Sequence, residues 1–68
     1  MAFLKVSDDR GNEWVINSDA VLYVEPAPRG GWASGSNLFF KAGVSERMQG
    51  LTFDAQETKR VVEWLTSL

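Results

Sequence analysis

Residues 54–68 read DAQETKRVVEWLTSL, and this stretch decides the fold class. Asp54 followed three residues later by Glu57 has the form of a capping box, with Asp in place of the usual Ser or Thr. Helical spacing then places a stripe of apolar side chains on one side, extended backward by Thr58: Val61, Val62, Leu65 and Leu68. So narrow a stripe suits packing on one face of a sheet. The stretch therefore predicts a C-terminal helix packed on a sheet.

The residues before this helix alternate between β-forming and turn-forming segments. The predicted strands are 3–7, 13–16, 20–25, 37–42 and 51–53. Residues 8–12 predict a hairpin turn and 17–19 a strand break, while 43–50 can be either a loop or extended strand. The sequence thus predicts an α+β fold with residues 1–68 as one domain. We expect an antiparallel four- to five-stranded meander sheet with the helix on one face.

The composition excludes most catalytic and metal chemistry. The chain contains no cysteine and no histidine, so thiolate and imidazole metal sites and the common nucleophile-plus-base arrangements are excluded. The carboxylates are placed as ordinary surface charge, with Asp8 and Asp9 in a turn and Glu57 and Glu63 on a solvated helix face. We therefore expect no enzymatic activity, no cofactor and no metal site.

Charge and hydropathy give a second set of expectations. The formal net charge of −2 is too weak to attract nucleic acid strongly. The longest uninterrupted apolar run, 20–24, is far shorter than a membrane span, and residues 1–5 lack a signal-peptide core. We expect a soluble cytoplasmic protein without a membrane partner.

Period-two alternation sorts the strand residues into two faces, and both are apolar. The predicted core face contains Leu4, Val6, Trp14, Ile16, Leu22, Val24, Leu38, Phe40, Leu51 and Phe53. The opposite face contains Phe3, Val15, Val21, Tyr23 and Phe39. One helix covers one face, so the second face must be covered by curvature into a barrel, by the loop that carries Trp32, or by another chain. We favour another chain and expect a homo-oligomer that buries this second face.

Residues 26–37 contain both prolines and several glycines, which predicts a flexible connection. A cation and an aromatic ring in this segment, Arg29 and Trp32, form a candidate contact for a protein partner. With Phe39, Lys41 and Arg47 they define an alternative function, binding of single-stranded nucleic acid by stacking and phosphate contacts. The acidic balance makes nucleic acid the less favoured partner.

The first 26 residues resemble a known family. The run Phe3-Leu4-Lys5-Val6, then Gly11, then Val15-Ile16-Asn17, and finally the segment from Val21 to Pro26 are similar to the opening of the small FlbD-type flagellar and swarming-motility proteins. That opening is a hairpin closing on an Asn before another strand. The resemblance implies a small non-enzymatic accessory or regulatory protein, and it assigns no functional residue.

Overall fold

The computed structural model describes residues 2–42 and 49–68, and within them it contains five strands, a short 3₁₀ helix and one α-helix. In chain order the elements are β1 Phe3–Ser7, β2 Glu13–Asn17, the 3₁₀ helix Ser18–Ala20, β3 Val21–Ala27, β4 Gly31–Phe40, β5 Gly50–Phe53 and α1 Ala55–Thr66. The predicted α+β class with antiparallel strands and a C-terminal helix is confirmed. No helix in the described ranges has the length and apolar character needed to cross a membrane.

The strands form two antiparallel sheets, a first sheet of β1 and β2 and a second sheet in the order β3-β4-β5. The predicted single meander is therefore wrong. The reason lies between β2 and β3, where the Asn17 side chain caps the 3₁₀ helix by accepting a hydrogen bond from the Asp19 amide at 3.0 Å. A helical turn replaces the hairpin turn at this point, so β3 leaves the first sheet and pairs with β4.

The first sheet is the predicted hairpin, with Leu4 opposite Ile16 and Val6 opposite Trp14. Its turn is organised by Asp8, whose Oδ1 accepts the Arg10 and Asn12 amides, each at 2.9 Å. Asp side chains favour turns because they bond the backbone a few residues on in this way. The predicted hairpin turn at residues 8–12 is confirmed.

The segment predicted as a flexible loop, 26–37, is mostly strand: β3 continues to Ala27, β4 begins at Gly31, and Gly30 takes a φ of +83° in the turn between them. Pro26 lies opposite Ser36 in the ladder. It is tolerated because β3 is an edge strand, where a missing backbone donor need not interrupt pairing. The prediction of a loop was wrong because proline and glycine were expected to end the strand, whereas Pro26 and Gly31 both lie within strands.

A β-bulge in β3 overturns part of the predicted division between the two faces. Val21 pairs with Phe40 and Tyr23 pairs with Phe39, so Leu22 is an extra residue in the ladder. Val21, predicted on the outer face, packs instead against the core, and Leu22, predicted in the core, is exposed. An extra residue shifts the alternation by one position, which the sequence pattern does not reveal.

The core lies between the two sheets and the helix. Val6 and Ile16 come from the first sheet, and α1 contributes Val61; the buried side chains of the second sheet are Leu38, Leu51 and Phe53. A buried hydrogen bond of 2.8 Å joins the hydroxyl groups of Ser36 and Thr58, and thereby links β4 to α1. Apart from Leu22, the residues of the predicted core face of the sheet are buried or pack against this cluster. On the helix, Val61 and Leu65 do the same, whereas Leu68, predicted in the apolar stripe, lies beyond the end of α1 and is exposed.

The helix begins as predicted, with Asp54 Oδ1 accepting the Glu57 amide at 2.9 Å. The Glu57 side chain is not solvated as we expected, since it is largely buried against β1. Its Oε2 accepts the Ser7 amide at 2.6 Å, and its Oε1 accepts a hydrogen bond from Arg60 at 2.7 Å. Arg60 also donates to the Lys5 carbonyl oxygen at 3.2 Å. These two side chains fasten α1 to the outer edge of β1.

Strand β5 is one residue longer than predicted, because Gly50 pairs with Phe39. The rest of the segment whose state the sequence left open, residues 43–48, lies outside the described residues.

Candidate interaction surface

Large apolar side chains lie on the outer surface of both sheets. The exposed fractions are 59% for Phe3 and 67% for Val15 in the first sheet, and 58% for Leu22 and 49% for Tyr23 in the second. Antiparallel sheets with a solvated face normally carry polar residues there. The exposed apolar area therefore identifies the candidate surface.

The predicted interface residues divide between the two sheets. Phe3 and Val15 belong to the first sheet, and Tyr23 and Phe39 belong to the second, while Val21 lies on the core side. The predicted interface is therefore not one continuous sheet face. On the second sheet Tyr23 and Phe39 are joined by Leu22, which was predicted in the core, and we call these three residues the aromatic patch.

The aromatic patch is an ordered pair of rings with an aliphatic neighbour. Tyr23 and Phe39 lie opposite each other on adjacent strands, and their ring centroids are 5.0 Å apart with the planes tilted by 40°. Such a tilted arrangement is favourable for aromatic pairs. The sequence did not place Leu22 on the outer face. Residues 20–24 are all apolar, so this run has no alternation of apolar and polar residues that would reveal a bulge.

Polar residues frame the aromatic patch. Glu25 lies opposite Asn37, whose Oδ1 accepts a hydrogen bond of 2.7 Å from the Thr52 hydroxyl. At the other end of the patch, Lys41 follows Phe39 by two positions, which is the spacing of one sheet face. Glu25 and Lys41 are both exposed. The patch thus has a negative charge at one end and a positive charge at the other.

The other candidate residues do not join the aromatic patch. Arg29 lies in the turn between β3 and β4, and Trp32 lies near the start of β4, whereas Lys41 follows its opposite end. Arg47 lies outside the described residues. The predicted group of loop cations and aromatic rings is therefore not brought together among the residues that the structure describes.

Trp32 instead borders α1. It lines a hollow of about 440 Å³ together with Ala33, Ala55, Gln56 and Lys59. A second hollow of about 220 Å³ lies between Trp32 and the helix residues Thr58, Lys59, Val62 and Glu63. Both hollows are shallow and open, and the charged side chain that they share is Lys59.

A third hollow, of about 320 Å³, lies beside the first hairpin turn and is lined by Asp8, Asp9, Arg10, Asn12, Trp14 and residues 50–52. The indole N–H of Trp14 donates to Asp8 Oδ2 at 2.9 Å, and this hydrogen bond is the main reason that the pKa of Asp8 is lowered. The Asp9 amide donates to the Thr52 carbonyl oxygen at 2.8 Å, which joins the turn to β5. Asp8 is thus engaged in holding its own turn.

The described carboxylates do not form a metal centre, because no three of them come together within residues 2–42 and 49–68.

The chain was compared with protein-family models, curated proteins and solved structures, and none of them matches it.

Proposed function

We propose that this chain is a small non-enzymatic interaction module that self-associates through the aromatic patch. The observation that carries the proposal is the outward-facing Tyr23–Phe39 pair with Leu22 beside it, on adjacent strands of the second sheet. Exposed apolar clusters of this kind mark interaction sites more often than ordinary surface. Tyrosine in particular is enriched among the residues that dominate binding energy.

The charges around the patch favour a second copy of the chain as the partner. Glu25 and Lys41 lie at opposite ends of the patch, on either side of the Tyr23–Phe39 pair. A two-fold axis through that pair would place Glu25 of each copy near Lys41 of the other. A two-fold interface requires a surface that is complementary to itself, and this arrangement of charges meets the requirement.

The proposed module fits the role implied by the resemblance to FlbD-type proteins, a small accessory or regulatory protein without catalytic activity. In this chain the corresponding hairpin closes on Asn17, and the 3₁₀ helix lies between it and β3.

Light scattering coupled to size-exclusion chromatography tests the proposal. We expect the double variant Tyr23→Ser/Phe39→Ser to have a lower native mass than the unmodified chain, because it removes both aromatic rings of the patch. The control is Trp32→Ser, which removes an aromatic ring beside α1 that is as exposed as Tyr23 and should leave the mass unchanged. An unaltered mass in the double variant, with circular dichroism showing a folded protein, would refute the assignment of the interface.

Charge exchange gives an independent test of the two-fold arrangement. Lys41→Glu should weaken association, because it places Glu25 of one copy near a new carboxylate of the other. The exchange variant Glu25→Lys/Lys41→Glu should restore it, since the two ends again carry opposite charges. A double variant that associates no better than Lys41→Glu alone would contradict the two-fold geometry.

A second candidate function is binding of single-stranded nucleic acid, favoured by the neighbouring Tyr23 and Phe39 rings, on which bases could stack, and by Lys41 two residues after Phe39. A fluorescent oligonucleotide titrated at low salt tests it, with Lys41→Gln and Arg47→Gln as the variants. Binding near micromolar concentration that both variants weaken would support this candidate. Absence of binding in that range would exclude it.

A further inference from the structure

Of the four sheet edges formed by the described strands, those of β1 and β3 are covered or blunted, and that of β5 is covered in part. At the outer edge of β1, the Ser7 amide donates to Glu57 and the Lys5 carbonyl oxygen accepts from Arg60. Where β1 runs into the turn, the Asp9 amide bonds the Thr52 carbonyl oxygen of β5. Helix α1 and the turn therefore supply partners for this edge and for part of the edge of β5.

The outer edge of β3 is blunted by two local features. The bulge at Leu22 interrupts its regular spacing, and Pro26 has no backbone N–H to offer. Bulges and prolines are among the devices by which proteins prevent an edge strand from pairing with another chain. Edge pairing through β3 is therefore disfavoured.

The outer edge of β2 has neither protection. The Asp8 amide bonds the Asn12 carbonyl oxygen, and the Ser18 amide bonds the Ala2 carbonyl oxygen, so residues 12 and 18 point at β1. By alternation, the backbone groups of Glu13, Val15 and Asn17 point away from β1. Among the described residues β2 contacts β1 extensively, whereas α1 packs against β1, β4 and β5.

The sequence of β2 indicates what pairs with this edge. It reads Glu-Trp-Val-Ile-Asn over residues 13–17. In an antiparallel pair of two such strands centred on Val15, each Glu13 faces an Asn17, an amide that can donate to the carboxylate. A register centred on Glu13 would bring two carboxylates together, which is destabilising. Glu13 is moreover partnered within its own sheet by Lys5, 3.1 Å away.

We propose that the outer edge of β2 pairs antiparallel with β2 of a second copy, centred on Val15, so that two first sheets join into one continuous sheet. The Val15 residues of the two copies would exchange both N–H···O hydrogen bonds, and the exposed Val15 side chains would lie in contact on the outer face. This inference rests on the proposed function in that the partner is again this chain, but it uses a different surface. Two distinct two-fold contacts on one chain produce assemblies larger than a dimer.

The test replaces Val15 at an exposed position where the fold should tolerate it. Val15→Lys places two ammonium groups side by side at the centre of the proposed pairing, a natural means of preventing edge association. Val15→Thr keeps a β-branched side chain and is the matched control. We expect Val15→Lys to lower the native mass, Val15→Thr to retain it, and the combination of Val15→Lys with Tyr23→Ser/Phe39→Ser to give the monomer mass.

Amide hydrogen exchange of the unmodified chain tests the β2 edge pairing without any substitution, so it applies even if a variant does not fold. The Val15 amide should exchange roughly tenfold or more slowly at high protein concentration than at low concentration, because pairing protects it. An unchanged Val15 rate while the native mass rises with concentration would overturn the edge pairing and leave the aromatic patch standing. A mass that Val15→Lys lowers but Tyr23→Ser/Phe39→Ser does not would support the edge and overturn the patch. A monomer mass at every concentration would overturn both.

Discussion

The two edges of the first sheet differ in the hydrogen-bond partners that the described residues offer them. The outer edge of β1 is occupied by Glu57 and Arg60 of α1, whereas β2 has no comparable partner in the described ranges. Both strands have five residues and the same alternation of exposed and inward side chains, so strand chemistry does not explain the difference. A single helix fills one side of the core and protects one edge. Within residues 2–42 and 49–68, no comparable element covers the opposite edge or the outer faces.

Two phenylalanines on neighbouring strands, Phe53 and Phe39, differ in the same way in how the rest of the chain covers them. Phe53 is 1% exposed and packs between the second sheet and α1, whereas Phe39 lies on the outer face beside Tyr23. The first contributes to folding, and the second is available for association.

The largest effect is expected at Phe53. Phe53→Ala should lower the free energy of unfolding by about 4 kcal/mol, because it removes a buried ring and leaves a cavity. Phe39→Ala should lower it by less, about 1 to 2 kcal/mol in the monomer, because this ring is only partly buried and its removal leaves no enclosed cavity. Urea denaturation at low protein concentration measures both values. Equal losses would show that the two rings are not divided between folding and association.

Replacing Gly35 should cost more stability than replacing Gly11. Gly35 is buried at φ +138°, and a methyl group there would collide with the Phe53 carbonyl oxygen, whereas Gly11 at φ +84° has open space around it. We expect Gly35→Ala to cost about 3 kcal/mol and Gly11→Ala about 1 kcal/mol. Thermal unfolding of the two variants gives the ranking. A larger loss at Gly11 would contradict the close packing of β4 on β5.

The covered edge of β1 can be opened by changing Glu57. Glu57→Ala should lower the free energy of unfolding by about 2 kcal/mol, since the Ser7 amide and Arg60 both lose a partner. It should also speed hydrogen exchange at the Ser7 amide. Glu63→Ala, on the exposed side of α1, is the control and should change stability by less than about 0.5 kcal/mol. Unchanged Ser7 exchange in Glu57→Ala would show that α1 does not protect this edge.

The smallest effect concerns the turn of the first hairpin. Because the pKa of Asp8 in the folded chain lies below its unfolded value, the unfolded chain binds more protons, and stability falls as the pH drops below about 4. Trp14→Phe removes the indole donor, so the pKa of Asp8 should rise and this acid-dependent loss should shrink. NMR titration of the Asp8 carboxyl carbon measures the pKa. An unchanged value would show that the Trp14 hydrogen bond does not stabilise the ionised carboxylate.

The parts of the fold that the sequence predicted are those set by local chemistry. Asp54 begins α1 by bonding the Glu57 amide, and Asp8 organises the first turn; both effects act within four residues. Burial of the alternating residues of β1 and β2 likewise follows from the strand period. These features needed no knowledge of distant contacts.

The parts that the sequence did not predict depend on which strands become neighbours. Pro26 remains in a strand because β3 is an edge, and Glu57 is buried because β1 passes beside α1. The bulge at Leu22 moved one residue out of the predicted core and Val21 into it. The sequence therefore predicted that the candidate surface consists of exposed apolar residues on strands. Its division between two sheets required the tertiary structure.

Sedimentation equilibrium of the unmodified chain across micromolar concentrations tests self-association most directly. We expect a mass that approaches 7.6 kDa on dilution and rises to twice that value or a higher multiple as concentration increases. A mass of 7.6 kDa at every concentration would contradict it.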